Sequence, residues 1–170
     1  MTGQVTFRQA DDGDLDLLVK MFDATARWMI RQGIEQWKPG DKDRDHFRTR
    51  MAVGEVWLAS HGGTALGAYE LWWKDEQVWG EQPPVAGYVH RLMTDRAAAP
   101  AGTGRTLLAH AEERIATRGR RMARLDCETR NPRLRGYYEA AGYTTVGDDL
   151  EKTAPDGRRY RVTLLEKVVA

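Results

Sequence analysis

Residues 88–115 read YVHRLMTDRAAAPAGTGRTLLAHAEERI, and this stretch decides the fold. It opens with a strand pattern in which Val89, Leu92 and Met93 are apolar. Its second half carries apolar residues at helical spacing, namely Leu107, Leu108, Ala111 and Ile115. The AGTG at 101–104 between them is too rich in glycine for the interior of either element. A strand, a glycine turn and a helix in this order leave unpaired backbone N–H groups at a helix N-terminus, which suits a pyrophosphate. A tight connection with nothing bound is the alternative.

The glycine turn differs from the two commoner phosphate-binding loops. No Lys-Ser/Thr pair follows Gly104, as a nucleoside-triphosphate loop requires. Leu107 stands where the dinucleotide-binding fingerprint has its third glycine. Neither of those ligand classes is therefore predicted.

Composition limits the classes of protein to consider. The chain has 170 residues, which suits one domain spanning 1–170, and its net charge of +1 argues against nucleic acid or a membrane as partner. Cys127 is the one cysteine, so no internal disulfide can form. No signal peptide and no membrane-spanning run is expected, and we predict a cytoplasmic protein.

Patterns outward from the organising stretch predict the order β-α-α-β-β-β-α-β-α-β-β. Asp43 is expected to cap a short second helix, and residues 74–84 are expected to form a loop. Asn131 and Pro132 begin another helix, which Gly142 ends. Hairpins mix with helical crossovers, so we predict an α/β fold with a mixed sheet of about seven strands and about four flanking helices.

Two motifs in this order resemble the GNAT family of acyl-CoA-dependent N-acyltransferases. Leu92, Gly102 and Gly104 keep the spacing of the family's strand, loop and helix, although Ala99 replaces its usual Arg or Gln. The second motif matches at Asn131, Tyr138, Glu139 and Gly142. The resemblance covers nearly the whole chain and implies the GNAT fold, with acetyl-CoA as co-substrate and no metal.

The resemblance also implies roles for particular residues. Tyr138 would protonate the leaving coenzyme A thiolate, Asn131 would contact the pantetheine arm, and the Thr94 N–H would meet the thioester carbonyl. The alternative for Tyr138 is a tyrosine packed in the core. The full set expected to bind acetyl-CoA is Leu92, Met93, Thr94, Ala99, Ala101, Gly102, Thr103, Gly104, Arg105, Thr106, Asn131, Arg135 and Tyr138.

His90 is the candidate base that removes the amine proton. It lies two residues before Leu92, on the same predicted strand face, where several members of the family carry a His or Glu. A half-buried histidine bonded to backbone is an equal alternative. Arg91 should face the opposite way and be structural.

The acceptor amine is expected to meet aromatic and acidic side chains. The candidates are Trp37 and one of Trp72 or Trp73, with Glu35 or Glu70 receiving the ammonium group. Packing, or the interface of a homodimer, is the alternative role for any one tryptophan. We therefore predict acetyl transfer to the primary amine of a small molecule by direct attack in a ternary complex. A protein or peptide acceptor, or a non-catalytic acyl-CoA-binding or partner-binding module, are the alternatives.

Overall fold

The computed structural model describes residues 4–170; residues 1–3, the start of the predicted domain, lie outside the described part. The strands are β1 (Thr6–Gln9), β2 (Glu55–His61), β3 (Thr64–Trp72), β4 (Ala86–Thr94), β5 (Met122–Glu128), β6 (Thr144–Thr153) and β7 (Arg159–Val168). The α-helices are α1 (Leu15–Arg31), α2 (Arg44–Val53), α3 (Glu76–Trp79), α4 (Thr103–Thr117) and α5 (Pro132–Ala140).

The seven strands form one mixed sheet in the order β1-β2-β3-β4-β5-β7-β6. Strands β4 and β5 are parallel, because helix α4 connects them, whereas β1-β2-β3 and β5-β7-β6 are antiparallel. The predicted α/β mixed fold is confirmed. One prediction was wrong: the segment 74–84 is not all loop, since it contains the short helix α3.

The chain divides into two compact units. The first unit comprises the residues up to Trp72 together with His90–His110, and the second comprises Trp73–Val89 and Ala111–Ala170. The prediction that 1–170 is a single domain stays a prediction.

The core of the first unit lies under helix α1. Leu15, Leu18 and Phe22 fall on one helix face and pack with Phe47 of α2 and Leu58 of β2. Helix α2 begins where predicted, because the Asp43 side chain accepts a hydrogen bond from the His46 N–H at 2.9 Å. The segment 34–40 lies in the connection between these two packed helices.

In the second unit, close packing and side-chain hydrogen bonds connect helix α4 to its neighbours. A Cβ at Gly87 would lie 2.5 Å from Ile115 Cγ1, so glycine permits the close approach of β4 and helix α4 there. Glu112 accepts hydrogen bonds from Tyr143 Oη and Lys167 Nζ, both at 2.9 Å, which ties α4 to the chain after α5. None of the helices within residues 4–170 is both long and apolar enough to cross a bilayer.

Candidate active site

The loop after β4 is built on Asp95, in the first unit. The Asp95 carbonyl accepts hydrogen bonds from the N–H groups of Ala98 (3.1 Å) and Ala99 (2.7 Å), and its Oδ1 accepts one from Ala97 (3.0 Å). The Asp95 N–H donates to Leu66 O at 2.8 Å, which anchors the turn to β3. These bonds fix where the chain leaves the strand.

Helix α4 begins with two backbone N–H groups that have no backbone acceptor within residues 4–170. Thr103 N–H and Oγ1–H both donate to Pro100 O, and Thr106 N–H donates to Gly102 O at 3.1 Å. The N–H groups of Gly104 and Arg105 have no backbone acceptor within residues 4–170, as expected for the first turn of a helix. Gly102 has a φ of +89°, which favours glycine and turns the chain into the helix. This backbone cradle fits an anionic pyrophosphate.

Arg96 of the same loop contacts helix α1. The sequence patterns did not predict this contact. Its guanidinium carbon lies 3.4 Å from the centroid of the Trp28 ring. The two positions are far apart in sequence, and neither belongs to a motif, so no local signal pointed to this contact.

Strand β4 is irregular at Arg91. This residue has a φ of +48°, a left-handed conformation that costs an arginine roughly 1–2 kcal/mol. The regular alternation of side chains along β4 is interrupted there, and the prediction that Arg91 faces away from His90 stays a prediction. The Arg91 guanidinium carbon and the His90 ring both approach Trp72, at 5.9 Å and 3.8 Å from its ring centroid.

Glu70 is a fully buried carboxylate at the centre of this group, with 0% of its side chain exposed. Its Oε1 accepts hydrogen bonds from Trp72 Nε1 (2.9 Å) and Arg91 Nη1 (3.0 Å), and its Oε2 accepts one from His46 Nε2 (2.8 Å). Burial raises the pKa of Glu70, but Arg91, His46 and Trp72 outweigh it and lower that pKa to about 2. A buried carboxylate whose oxygens already accept three bonds does not favour the predicted role of Glu70 as a receptor for the ammonium group.

Trp72 is enclosed by charged and aromatic neighbours. The His90 ring stacks on it at 3.8 Å with an interplanar angle of 27°, and the Arg50 guanidinium carbon lies 4.1 Å from its centroid. Two groups this close cannot share one face of the indole, so they cover opposite faces. The predicted contact between Trp72 and the acceptor is therefore not favoured, whereas His90 is held firmly in place.

The predicted acceptor loop carries an aromatic residue over the core. Trp37 is half-buried and stacks on Phe22 with 4.9 Å between ring centroids. Glu35 is exposed. Between them, Gln36 Oε1 is buried without a hydrogen-bond partner within residues 4–170, which leaves an acceptor for a ligand N–H or for water. Gln36 was not predicted as a site residue.

In the second unit, Asn131 and Tyr138 are placed by helix α5. The Asn131 side chain caps the helix, with its Oδ1 accepting from Leu134 N–H at 3.2 Å. Tyr138 is 8% exposed, and burial raises its pKa well above the usual tyrosine value. The phenol is therefore protonated at neutral pH and available as a donor.

Two further side chains of the second unit bear on the chemistry, the predicted acetyl-CoA ligand Arg135 and the cysteine Cys127. Arg135 pairs with Asp148 at 2.9 Å and with Glu139 at 3.5 Å, so its guanidinium already has carboxylate partners. Cys127 is buried, and burial raises the pKa of its thiol to about 11. A protonated, buried thiol is a poor nucleophile.

Comparison with known proteins agrees with this fold and these motifs. The family model described as the acetyltransferase (GNAT) family matches residues 22–143. The chain therefore belongs to the acetyltransferase (GNAT) family, and its class of activity is that of an acetyl-CoA-dependent N-acetyltransferase. No curated protein sequence matches closely enough to add a relative to this comparison.

Solved structures with the same fold include enzymes named for different acceptors. A GNAT-family acetyltransferase from Listeria monocytogenes 4b F2365 is 24% identical, with a TM-score of 0.77, over 99% of this chain and 98% of that one. The spermidine N-acetyltransferase of Vibrio cholerae, in complex with CoA and spermine, is 17% identical with a TM-score of 0.69, over 98% and 96%. The ribosomal-protein-S18-alanine N-acetyltransferase of Escherichia coli is 14% identical with a TM-score of 0.68, over 98% and 95%.

Proposed function

We propose that the protein transfers acetyl from acetyl-CoA to the primary amine of a small molecule, by direct attack of the amine within a ternary complex. The observation that carries this proposal is the pair of open N–H groups at Gly104 and Arg105 beside Gly102. An acyl-CoA pyrophosphate would satisfy both donors and would interact favourably with the α4 dipole.

Direct attack is supported by the state of Cys127. A covalent acetyl-enzyme needs a nucleophile that ionises near neutral pH, and burial keeps this thiol protonated. The amine itself is then the nucleophile. Tyr138, protonated at neutral pH, would supply the proton that the departing thiolate takes up, and Thr94 would offer its N–H to the thioester carbonyl.

A small acceptor is supported by the loop that carries Trp37. The half-buried indole, packed on Phe22, would contact the apolar body of a compact amine. The exposed Glu35 carboxylate and the buried Gln36 Oε1 would then meet its ammonium group. Because the neighbours in fold include enzymes named for a polyamine and for a ribosomal protein, the fold alone does not choose the acceptor.

The experiment has two stages. Calorimetric titration with acetyl-CoA should give saturable binding, and no binding at millimolar ligand would end the proposal. A panel of small amines and peptides is then tested for thiol release from acetyl-CoA. Turnover confined to peptides would replace the small-molecule acceptor with a protein acceptor.

One observation favours a second candidate, a non-catalytic acyl-CoA-binding module. Pro100 has no N–H, and the Ala99 N–H donates to Asp95 O, so neither offers a donor to phosphate. This candidate predicts acetyl-CoA binding without turnover of any amine in the panel. Steady thiol release with one panel amine would reject it.

A further inference from the structure

His46 is a histidine for which the sequence motifs give no role, and its ring is oriented by the buried Glu70. The Glu70 carboxylate is ionised at neutral pH and can only accept hydrogen bonds. His46 Nε2, 2.8 Å from Glu70 Oε2, must therefore carry the proton and donate it. In the neutral ring the other nitrogen, Nδ1, is then a free base with its lone pair available.

Several charged groups face this imidazole. Burial lowers the pKa of His46, the Glu70 carboxylate raises it, and the positive charges of Arg91 and Lys42 lower it. The net shift is downward, so the ring is neutral at physiological pH. No hydrogen bond to Nδ1 is found within residues 4–170.

The ring is also partly exposed and contacts a member of the apolar cluster against which Trp37 packs. The His46 side chain keeps 18% of its surface exposed. Its ring contacts Phe47, at 5.0 Å between centroids, and Phe47 belongs to the same apolar cluster as Phe22 and Trp37. Helix α2 thus carries a neutral imidazole at the edge of the apolar cluster that also supports Trp37, the aromatic residue that we assign to the acceptor.

We propose that His46 is a catalytic base of the transferase: its Nδ1 takes the proton that the acceptor amine loses, while Glu70 holds the ring in position. The amine nitrogen bonds to the thioester carbonyl carbon, and the carbon–sulfur bond breaks. The amine proton passes to His46 Nδ1, and the thiolate takes a proton from a separate donor, Tyr138 in the proposed function. Glu70 is a positioning residue and does not touch the reacting atoms. This inference rests on the proposed function.

The test compares His46→Gln with His61→Gln, using the amine of the panel that wild type turns over fastest. The glutamine amide can still donate to Glu70, but it cannot take up a proton at neutral pH. His61→Gln is the matched control because His61 is exposed at the end of β2. His46→Gln should lower kcat by about 100- to 10,000-fold, the usual range for losing a general base, with unchanged acetyl-CoA affinity by calorimetry. His61→Gln should match wild type.

The pH profile of kcat/KM separates a base from a structural residue. Wild type should show an acidic limb with an apparent pKa below 6.5, the ordinary value of histidine. Glu70→Gln should move that limb to lower pH, because the carboxylate raises the pKa of His46. This second variant decides the matter if His46→Gln does not fold.

Each outcome has a definite consequence. An acidic limb that stays unchanged in both variants, or that disappears in His90→Ala instead, overturns the inference while the proposed function stands. Loss of activity in His46→Gln together with loss of acetyl-CoA binding assigns His46 a structural role and also overturns it. If the wild-type protein turns over no amine of the panel, the proposed function and this inference are both rejected.

Discussion

Tyr138 shows how burial sets the chemistry of a single residue. The motif that contains it predicts a role as acid, and helix spacing alone predicts a core tyrosine. The structure has Tyr138 buried, and that burial raises its pKa, so the hydroxyl keeps its proton at neutral pH. Tyr138→Phe should lower turnover by about ten- to a thousand-fold, because only the hydroxyl can protonate the thiolate. Acetyl-CoA affinity, measured by calorimetry, should be nearly unchanged. Tyr137→Phe, one position earlier on the same helix, should keep near wild-type turnover; intact activity in Tyr138→Phe would make Tyr138 a packing residue.

Trp37 is the residue that we expect to contact the acceptor amine. Trp37→Ala removes the aromatic face stacked on Phe22 and should raise the acceptor's KM about tenfold or more, as expected when a large apolar contact is lost. The KM of acetyl-CoA should not change. Trp79→Ala, which removes a tryptophan of the short helix α3, is the matched control and should leave both constants alone. Equal effects of Trp37→Ala on both substrates would place Trp37 outside the acceptor site.

At the scale of elements, the connection from β4 to α4 depends on Gly102. Its φ of +89° disfavours any residue with a Cβ, so with alanine the loop should adopt another conformation when acetyl-CoA is absent. Acetyl-CoA binding must then restore the left-handed conformation. Gly102→Ala should therefore weaken acetyl-CoA binding by about tenfold, equivalent to the roughly 1–2 kcal/mol of left-handed strain. Gly157→Ala, with a φ of +87° in the β6–β7 turn, should lower the melting temperature without changing that affinity. A similar loss of affinity in both variants would show a global effect.

Gly67 tests the spacing of β3 against β4 in the first unit. A Cβ there would lie 2.5 Å from Met93 O, a backbone atom that cannot move without distorting the strand. Gly67→Ala should lower the free energy of unfolding by about 3 kcal/mol, as for overpacked cores. Gly136→Ala in helix α5 meets nothing within 4 Å and should raise stability by about 0.5–1 kcal/mol. Urea unfolding measures both; a stable Gly67→Ala would mean that the strands can separate at this point.

Elements and motifs were predictable from sequence because their signals are local. The glycines of the α4 loop and the Asn131–Pro132 helix start each lie within a few residues of the structure that they determine. The network around Glu70 was not predictable, because it joins His46 to a strand residue 24 positions away. The positive φ of Arg91 also interrupts the alternation of side chains along β4, and the residue type does not predict it.

At the scale of the whole molecule, the buried Glu70 network makes stability depend on pH. The folded-state pKa of Glu70 is about 2, below its ordinary value of 4.5, because Arg91, His46 and Trp72 favour the carboxylate over the cost of burial. A lowered carboxyl pKa contributes stability that is present above the unfolded-state pKa and is lost as pH falls towards the folded-state pKa. His46 acts in the same direction at higher pH, since its pKa lies below 6.5 and the unfolded chain binds its proton more tightly.

Acid unfolding of wild type and Glu70→Gln measures this contribution. Lowering the pH from about 5 to about 3 should reduce the free energy of unfolding of wild type by about 2 kcal/mol more than that of Glu70→Gln. This is what the linkage relation gives for a carboxyl whose pKa is lowered from 4.5 to about 2 on folding. Glu70→Gln should also be less stable than wild type at neutral pH, because it leaves the half-buried Arg91 without its counter-ion. Glu76→Gln, which changes an exposed carboxylate on α3, should follow the wild-type pH dependence. Parallel curves for wild type and Glu70→Gln would mean that Glu70 titrates normally, and the free Nδ1 assigned to His46 would lose its support.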